Sequence, residues 1–322
     1  MNTIRSVSII FGVAGLCLIF WLLHKEGVST IGAVFSLVGI NIIWMVLYRV
    51  VPIVIDGAGW RLLFSGGARP GLRLVSMARW LGESVNTLLP VGQVGGHFVR
   101  ARVVAERYTG KDDPSATVTV DFTIGLWTQI IFIIIGLGLL VANTGQYRDM
   151  ASMIYGVSVA ILAVGGFVLV QKGGLFSFGA RGLGLFLGAG RTEGMGNRAL
   201  ELDQKIRELY ARRRDCLHAG FWRLIGWMAK SGENWIFFYF AGVEVNLQTI
   251  LILESLSGAL RSAAFFVPGG LGVQDGGLVV IGSLLGLDSA SVMALAVAKR
   301  LRELLIGVPG IVWWIRLEGA RR

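Results

Sequence analysis

Apolar residues run in long stretches through this chain of 322 residues, and short polar connections separate the stretches. A helix that crosses the hydrocarbon of a bilayer needs about 20 mostly apolar residues. Six stretches come close to or reach this length, at residues 6–23, 31–51, 118–141, 150–170, 219–243 and 291–315. The first lacks a small-residue cleavage site, so we expect it to be retained as a helix. The pattern predicts an all-α, polytopic integral membrane protein with six full transmembrane helices in a single domain over residues 1–322.

Two further apolar regions, residues 72–100 and 249–286, are interrupted by Gly, Pro and charged residues. Basic residues lie on both sides of the first region, which places both its ends on the same face of the membrane. Uncharged connections flank the second region. Each region is therefore expected to enter the membrane and return, the two from opposite faces, as broken or re-entrant helical hairpins. A pair of tightly packed full helices in each region would satisfy the same pattern.

Composition and charge add an orientation to this picture. Apolar residues make up 54% of the chain and charged residues only 16%, against about 25% in ordinary soluble proteins. Most Lys and Arg residues lie between residues 49 and 111, between residues 172 and 214, and at the C-terminus. Because basic connections stay in the cytoplasm, both termini are expected there. This orientation accounts for the net charge of +10, so we expect contact with anionic lipid and no nucleic-acid partner.

Residues 197–217 predict a helix of another kind. Leu202, Ile206 and Leu209 recur at helical spacing, opposite a charged face. This pattern is typical of an amphipathic helix on a membrane surface. We expect it on the cytoplasmic side, either as an anchor for the topology or as a surface that recruits lipid headgroups.

The two interrupted regions share an order of residues. The first reads ESVNTLLPVGQVGG over residues 83–96, and the second contains PGGLGVQDGG over residues 268–277. Each places a Glu-Ser pair on a helix, then a Pro-Gly loop, a Gln, a Gly pair and a new helix. Unwound backbone survives at membrane depth only against protein or water. Two such interruptions in opposed positions predict a substrate site of the kind found in inverted-repeat transporters.

Charged residues inside the predicted spans support a polar cavity, since each costs about 2.5–3.5 kcal/mol in hydrocarbon. Arg79 and Glu83 are one helical turn apart and could pair, and so are Lys299 and Glu303. Further polar stripes contain Asp121 on one span and Arg223, Lys230 and Asn234 on another. The candidate substrate-binding residues are Glu83, Asn86, Gln93, His97, Arg100, Glu254, Arg261, Gln274, Asp275, Lys299 and Glu303.

Several kinds of chemistry find no support in the sequence. Two cysteines and three scattered histidines do not predict a disulfide scaffold or a metal site. We find no P-loop, GxSxG or HExxH motif, so no catalytic residue and no cofactor is expected. Tryptophans near the ends of the predicted spans indicate an interfacial belt: Trp21, Trp60, Trp222, Trp313 and Trp314.

The segments ESVNTLLPVGQVGGHFVRA and VPGGLGVQDGG resemble the flippase-like lysylphosphatidylglycerol synthase transmembrane family. The resemblance covers nearly the whole chain and is greatest to the hopanoid-biosynthesis-associated HpnL-type branch. It implies a bacterial inner-membrane protein that moves or presents a lipid, with the interrupted segments near the lipid path. The chain as given ends soon after Arg316, so the aminoacyl-transferase activity of some relatives is not expected.

Together these features predict the flipping or presentation of a polar-headed lipid, a phospholipid or a hopanoid, without nucleotide hydrolysis. We do not expect an enzyme. Oligomerisation is compatible with the sequence. Two alternatives stay open: a membrane-embedded enzyme or assembly partner in lipid biosynthesis, and a small-solute secondary transporter.

Overall fold

The computed structural model describes residues 36–65, 67, 69–89, 94–144, 150–174, 193–263 and 273–319, and the regular structure within them is helical. A 3-10 turn at Gly39–Asn41 precedes the first α-helix. The α-helices are α1 (Ile42–Tyr48), α2 (Val50–Arg61), α3 (Leu72–Leu88), α4 (Gly95–Ala105), α5 (Pro114–Thr144), α6 (Met150–Gly173), α7 (Glu193–Ala211), α8 (Arg213–Lys230), α9 (Gly232–Phe240), α10 (Leu247–Ala263), α11 (Val273–Leu284) and α12 (Ser289–Gly319).

Two stretches of the described residues are long and apolar enough to cross a membrane. They are Gly39–Arg61, which contains α1 and α2, and Pro114–Asn143, which is nearly all of α5. This first stretch overlaps the span predicted at 31–51 and continues beyond it to Arg61, with Arg49 and Asp56 buried along the way. The predicted span at 6–23 lies outside the described residues. The spans predicted in α8–α9 and α12 contain buried charges that lower their hydropathy, so the count of six stays a prediction.

Both interrupted regions form two helices packed side by side. The first pair is α3 and α4, and the second is α10 and α11. At 1.5 Å per residue, α4 and α11 are about 16–18 Å long, well short of a 30 Å hydrocarbon layer. In the first pair a methyl group on Gly82 would come within 2.6 Å of the carbonyl oxygen of Gly96, so glycine is required for this close approach. The loops at 90–93 and 264–272 lie outside the described residues.

Two short turns connect α9 to α10 and α11 to α12, and both are built in the same way. Gly242 and Gly286 adopt positive φ angles of 69° and 77°, which favour glycine after a helix end. Asn246 then accepts the backbone N–H of Thr249 at 2.8 Å, and Asp288 accepts that of Ser291 at 3.0 Å. These side chains cap the first turn of the following helices. The helix bounds around the second hairpin are therefore encoded locally.

The hydrophobic core of the described residues consists of two apolar clusters, which lie at different positions along α5. The first apolar cluster includes residues of α2, α3, α4, α5 and α7, among them Trp60, Val75, Val99, Val120 and Ile206. The second apolar cluster includes residues of α1, α5, α9, α10, α11 and α12, among them Met45, Leu140, Phe237, Ile252 and Leu295. Twenty residues of α5 separate Val120 from Leu140, about 30 Å along the helix.

The predicted cytoplasmic connections lie together at one end of the molecule. Asp112 accepts the backbone N–H of Ser65 at 2.7 Å and pairs with Arg212 at 2.7 Å. Arg102 pairs with Glu318 at 2.9 Å and brings the end of α12 to the same place. Burial by itself raises the pKa of Asp112, but hydrogen bonds from Ser65 and Arg212 outweigh it and hold the pKa below its ordinary value.

The predicted amphipathic helix is observed as α7, but its apolar side packs against protein. It spans Glu193–Ala211 rather than 197–217. The helical conformation is interrupted at Arg212, and α8 begins at the next residue. Ile206 and Leu209 are buried in the first apolar cluster. Tyr210 donates to Gln171 of α6 at 2.6 Å. These contacts fix α7 to α5 and α6, so these two apolar side chains are not available to a lipid surface.

Candidate functional site

A layer of charged side chains separates the two apolar clusters. Along α12, the buried residues of the second apolar cluster end at Ala298, and four charged residues follow between positions 299 and 303 before Ile311 contacts the first cluster. The segments α1–α2, α5 and α8–α9 show the same order. Their interposed polar residues are Arg49, Asp56, Asp121, Gln129, Arg223, Lys230 and Glu233. Charge at this depth needs partners, since an unpaired ion costs several kcal/mol.

The hairpin cluster is a set of ion pairs that joins both hairpins to α12 and α9. It contains five cations and five carboxylates among the described residues: Arg49, Arg261, Lys299, Arg300, Arg302, Glu83, Glu233, Glu254, Asp275 and Glu303. Its formal charges therefore balance.

The helix α12 organises the hairpin cluster. Lys299 pairs with Glu254 at 2.6 Å, and Glu303 pairs with Arg261 at 2.9 Å, so both contacts reach α10. Arg300 adds a contact to Asp275 of α11 at 2.9 Å. Both helices of the second hairpin are thus attached to α12 by ion pairs: α10 through Glu254 and Arg261, and α11 through Asp275.

The helix α3 of the first hairpin is attached to α12 differently, by close packing. Methyl groups on Gly307 and Gly310 of α12 would overlap Leu88 and Ser84 of α3, so the two helices touch at these glycines. Trp80 donates to the carbonyl oxygen of Ile306 at 3.1 Å. Small residues commonly permit such crossings between membrane helices.

The two hairpins meet at the most exposed part of the hairpin cluster. A guanidinium N–H of Arg261 on α10 donates to the hydroxyl oxygen of Thr87 on α3 at 3.5 Å. The side chains of Glu83 and Arg261 are 34% and 27% exposed, the largest values in the cluster, whereas that of Glu233 is 2% exposed. The cluster is therefore most open where the two hairpins face each other.

The aspartate cluster is a second group of buried charges, which comprises Asp56, Asp121, Arg79, Arg100, Arg223 and Lys230. Three cations surround one oxygen of Asp56: Arg79 at 3.3 Å, Arg223 at 3.1 Å and Lys230 at 3.5 Å. One oxygen of Asp121 pairs with Arg79 at 2.9 Å and with Arg100 at 2.6 Å. Four cations thus share two carboxylates, and all six side chains are at most 12% exposed.

The predicted site residues on the second hairpin and α12 come together. Glu254, Arg261, Asp275, Lys299 and Glu303 all lie in the hairpin cluster. Gln274 is the remaining predicted residue on this hairpin. Its side-chain oxygen is buried and makes no hydrogen bond.

The predicted residues on the first hairpin have separate tasks. Glu83 pairs with Arg49 in the hairpin cluster. Asn86 accepts the backbone N–H of Gly96 at 2.7 Å and so closes the hairpin. Arg100 lies in the aspartate cluster. His97 packs beside Phe122 with ring centroids 4.7 Å apart. Gln93 lies outside the described residues.

Two expected contacts are wrong because the partners lie on other helices. Arg79 does not pair with Glu83 but with two aspartates on α2 and α5. Lys299 does not pair with Glu303 but with Glu254. In both cases helical spacing allows the contact, while tertiary packing offers a partner that is also buried.

Arg49, Asp56 and the role of Trp60 were missed from the sequence. The hydrophobic pattern ends the predicted span at residue 51, which assigns Arg49 to the cytoplasmic charges and gives Asp56 no role. A lone acid in the run VVPIVIDGAGW could have indicated a buried charge. Trp60 does not belong to an interfacial belt: it is fully buried, donates to Thr117 at 3.2 Å, and carries the guanidinium of Arg100 4.4 Å from its ring centroid.

The chemistry available at both clusters is ion pairing and hydrogen bonding. Their carboxylates face arginines and lysines, and the described residues contain no group of three or more His, Cys, Asp or Glu side chains able to hold a metal ion. Such a site can bind charged groups and exchange its internal ion pairs for pairs with a ligand.

Comparison with known proteins agrees with this architecture. The family model described as the lysylphosphatidylglycerol synthase TM region matches residues 6–310, which is nearly the whole chain. The chain belongs to the lysylphosphatidylglycerol synthase transmembrane-region family. No curated protein and no solved structure gives a match. The family makes the chain a membrane protein linked to lipid metabolism or translocation, and it agrees with the all-helical fold.

Proposed function

We propose that this protein moves a polar-headed lipid between the leaflets of the bacterial inner membrane without hydrolysing a nucleotide. The observation that carries the proposal is the layer of buried charge between the two apolar clusters, to which both hairpins contribute. Lipid flipping is slow because the headgroup must cross about 30 Å of hydrocarbon. A polar layer at intermediate depth lowers this barrier, while the apolar part of the lipid stays in the membrane.

The place where the two hairpins meet is the proposed headgroup path. Glu83 and Arg261 are the most exposed charges there, and both already have partners. A charged headgroup can replace one partner of such a pair, and the displaced partner keeps another counter-ion: Arg49 keeps Glu233, and Glu303 keeps Arg300. This exchange keeps the cost of opening the cluster low, since a buried charge without a partner is strongly unfavourable.

The short helices of the hairpins support a re-entrant arrangement with opposed entry. The basic connections, including the one at Asp112, lie at one end, and the turns at Asn246 and Asp288 flank the second hairpin. With both termini in the cytoplasm, each hairpin would enter from a different face. Substrate sites between two opposed broken segments are typical of inverted-repeat transporters.

The lipid is proposed as one with a polar or charged head, either a phospholipid or a hopanoid that carries such a group. A bare hopanoid offers no partner to the ion pairs of the hairpin cluster. The HpnL-type resemblance of the segments at 83–101 and 267–277 favours a hopanoid link, and the charge layer favours a headgroup.

A liposome assay tests the proposal. Purified protein is reconstituted with a fluorescent headgroup-labelled lipid, and the fraction that reaches the inner leaflet is followed by chemical quenching from outside. We expect Glu83→Gln and Glu254→Gln to slow movement at least tenfold. Glu201→Gln makes the same charge change on the exposed side of α7 and is expected to leave the rate unchanged.

Four outcomes would contradict the proposal. The wild-type protein would move no lipid, or the two glutamine variants would match Glu201→Gln. Formation of a new lipid product without transbilayer movement would instead indicate a membrane enzyme. Uptake of a small solute without lipid movement would indicate a secondary transporter.

A further inference from the structure

The aspartate cluster differs from the hairpin cluster in its charge balance. Five cations face five carboxylates in the hairpin cluster, whereas four cations face two carboxylates in the aspartate cluster. Of these two clusters, only the aspartate cluster carries a formal excess, which amounts to two positive charges. Buried cations in excess of their counter-ions are strongly unfavourable unless an anion joins them.

The hydrogen-bonding groups of the aspartate cluster show the same excess. The Nε atoms of Arg100 and Arg223 are buried and make no hydrogen bond, and neither does the indole N–H of Trp227. On the acceptor side, one oxygen of Asp56 is also buried without a hydrogen bond, so unpaired donors outnumber unpaired acceptors in the cluster. Trp227 lies between Arg223 and Lys230 on α8, with the ammonium of Lys230 3.7 Å from its ring centroid. The cluster therefore offers several unused donors, and buried donors without an acceptor are rare in folded proteins.

The backbone leaves room for this group of cations. Gly125 of α5 lies against Arg223, and a methyl group at this position would come within 3.0 Å of the guanidinium. Gly226 of α8 lies against the second oxygen of Asp56. Arg100 lies on the ring of Trp60, which holds the side chain in place. Five different helices thus converge on one cationic site, and glycine permits their approach at two points.

We infer that the aspartate cluster binds a phosphate monoester. Such a group carries about −1.5 to −2 charges at neutral pH and three strong acceptor oxygens. It matches both the charge excess and the unused donors, and guanidinium groups bind phosphate oxygens in a forked geometry. A phosphate diester carries a single negative charge and would leave half of the excess uncompensated. The phosphate could belong to a lipid headgroup or to a free phosphate.

If the phosphate belongs to a lipid, this inference rests on the proposed function. It then narrows the substrate of the protein to lipids whose headgroup is a phosphate monoester. It adds a recognition site on α2, α3, α4, α5 and α8, apart from the place where the hairpins meet. Arg223 and Lys230 are the most exposed members of the cluster at 12%, so the open side of the site lies along α8.

Binding to the full chain in phosphatidylcholine nanodiscs tests the inference. Three probes are compared: inorganic phosphate, phosphatidic acid, which is a monoester, and phosphatidylglycerol, which is a diester. We expect the wild type to bind phosphatidic acid at least tenfold more tightly than phosphatidylglycerol. The preference is expected to grow between pH 5 and pH 8, because the second phosphate pKa lies near 6.

Two neighbouring arginines on α4 give a matched pair of variants. Arg100→Gln removes one charge of the aspartate cluster and is expected to weaken phosphatidic acid binding about tenfold. Arg102→Gln makes the same change at an exposed ion pair with Glu318 and is expected to have no effect. Lys230→Gln removes a cluster charge from another helix and is expected to weaken binding by a similar factor. It provides the same test if Arg100→Gln fails to fold.

The results separate this inference from the proposed function. Equal binding of the monoester and the diester without saturable binding of inorganic phosphate, or equal binding by Arg100→Gln and Arg102→Gln, would overturn the inference. Saturable binding of inorganic phosphate with no preference between lipids would assign the site to a free phosphate. Monoester binding by a protein that moves no lipid in liposomes would leave the site standing and overturn the proposed function.

Discussion

The ion pair between Lys299 and Glu254 provides a direct test of the buried charge layer. Its atoms are 2.6 Å apart, and the two side chains are 9% and 15% exposed. Lys299→Met keeps most of the apolar stem of the lysine but removes its charge. Glu254 then retains only the amide of Asn234, at 3.2 Å, as a hydrogen-bond partner among the described side chains.

The expected magnitude follows from this burial. At an effective dielectric constant near 20, two charges 2.6 Å apart attract by about 6 kcal/mol, most of which offsets their loss of hydration. Removal of one partner from a buried pair costs about 3–5 kcal/mol, whereas replacement of both partners is close to neutral. We therefore expect Lys299→Met to lower the free energy of unfolding by about 3 kcal/mol. The double variant with Glu254→Gln should recover most of this loss.

Denaturant unfolding of the protein in one fixed detergent, followed by tryptophan fluorescence, measures both variants. The exposed pair of Lys205 and Glu201 has the same 2.6 Å separation and serves as the control. Lys205→Met is expected to leave the unfolding midpoint unchanged, because an exposed pair contributes little. If the single and double variants of the buried pair lost equal stability, the two charges would not be coupled, and the reasoning about the charge layer would be refuted.

Three further predictions concern the hairpin, the pH dependence and the topology. Gly96→Ala is expected to lower the free energy of unfolding by about 1–3 kcal/mol through overpacking, since its methyl group would overlap the backbone of α3, whereas Gly276→Ala meets nothing within 4 Å. Asp112 is expected to contribute fully to the stability of the folded protein above its ordinary pKa of 3.8, and this contribution is lost as pH falls through its lower pKa in the folded state. Thermal unfolding as a function of pH measures this loss. Single cysteines at Thr109 and Gln248 are expected to label from opposite sides of the membrane.

Each of these predictions has a contradicting outcome. Equal stability of the two alanine variants would show that the helices of the first hairpin can separate without cost. An Asp112→Asn variant whose unfolding temperature falls with acid as steeply as that of the wild type would exclude Asp112 as the titrating group. Labelling of both cysteines from one side, in a background without Cys17 and Cys216, would contradict the orientation derived from basic residues.

Predictions that depend on local pattern agree best with the structure. The interruptions near Gly96 and Asp275 were expected from Pro, Gly and Gln in apolar surroundings, and each region is observed as two helices. The helix α7 was expected from spacing alone. Hydrophobic periodicity and helix-breaking residues act within a few turns, so the sequence is sufficient to find them.

Partners across helices could not be predicted in the same way. Spacing along one helix suggested pairs for Arg79 and Lys299, but the structure gives each a carboxylate from another helix. Asp56 went unnoticed because one acid in an apolar run has no local feature that distinguishes it. Its importance arises only when two other helices, α3 and α8, bring three cations to it.

The sequence by itself determined that the chain is helical, apolar enough for a membrane, and broken at two places rich in glycine. Only the tertiary structure decided which charges meet, that ten of them balance around α12, and that six others retain an excess of positive charge around Asp56 and Asp121. The physical reason is range: secondary structure responds to neighbours a few residues apart, whereas an ion pair depends on how distant helices pack.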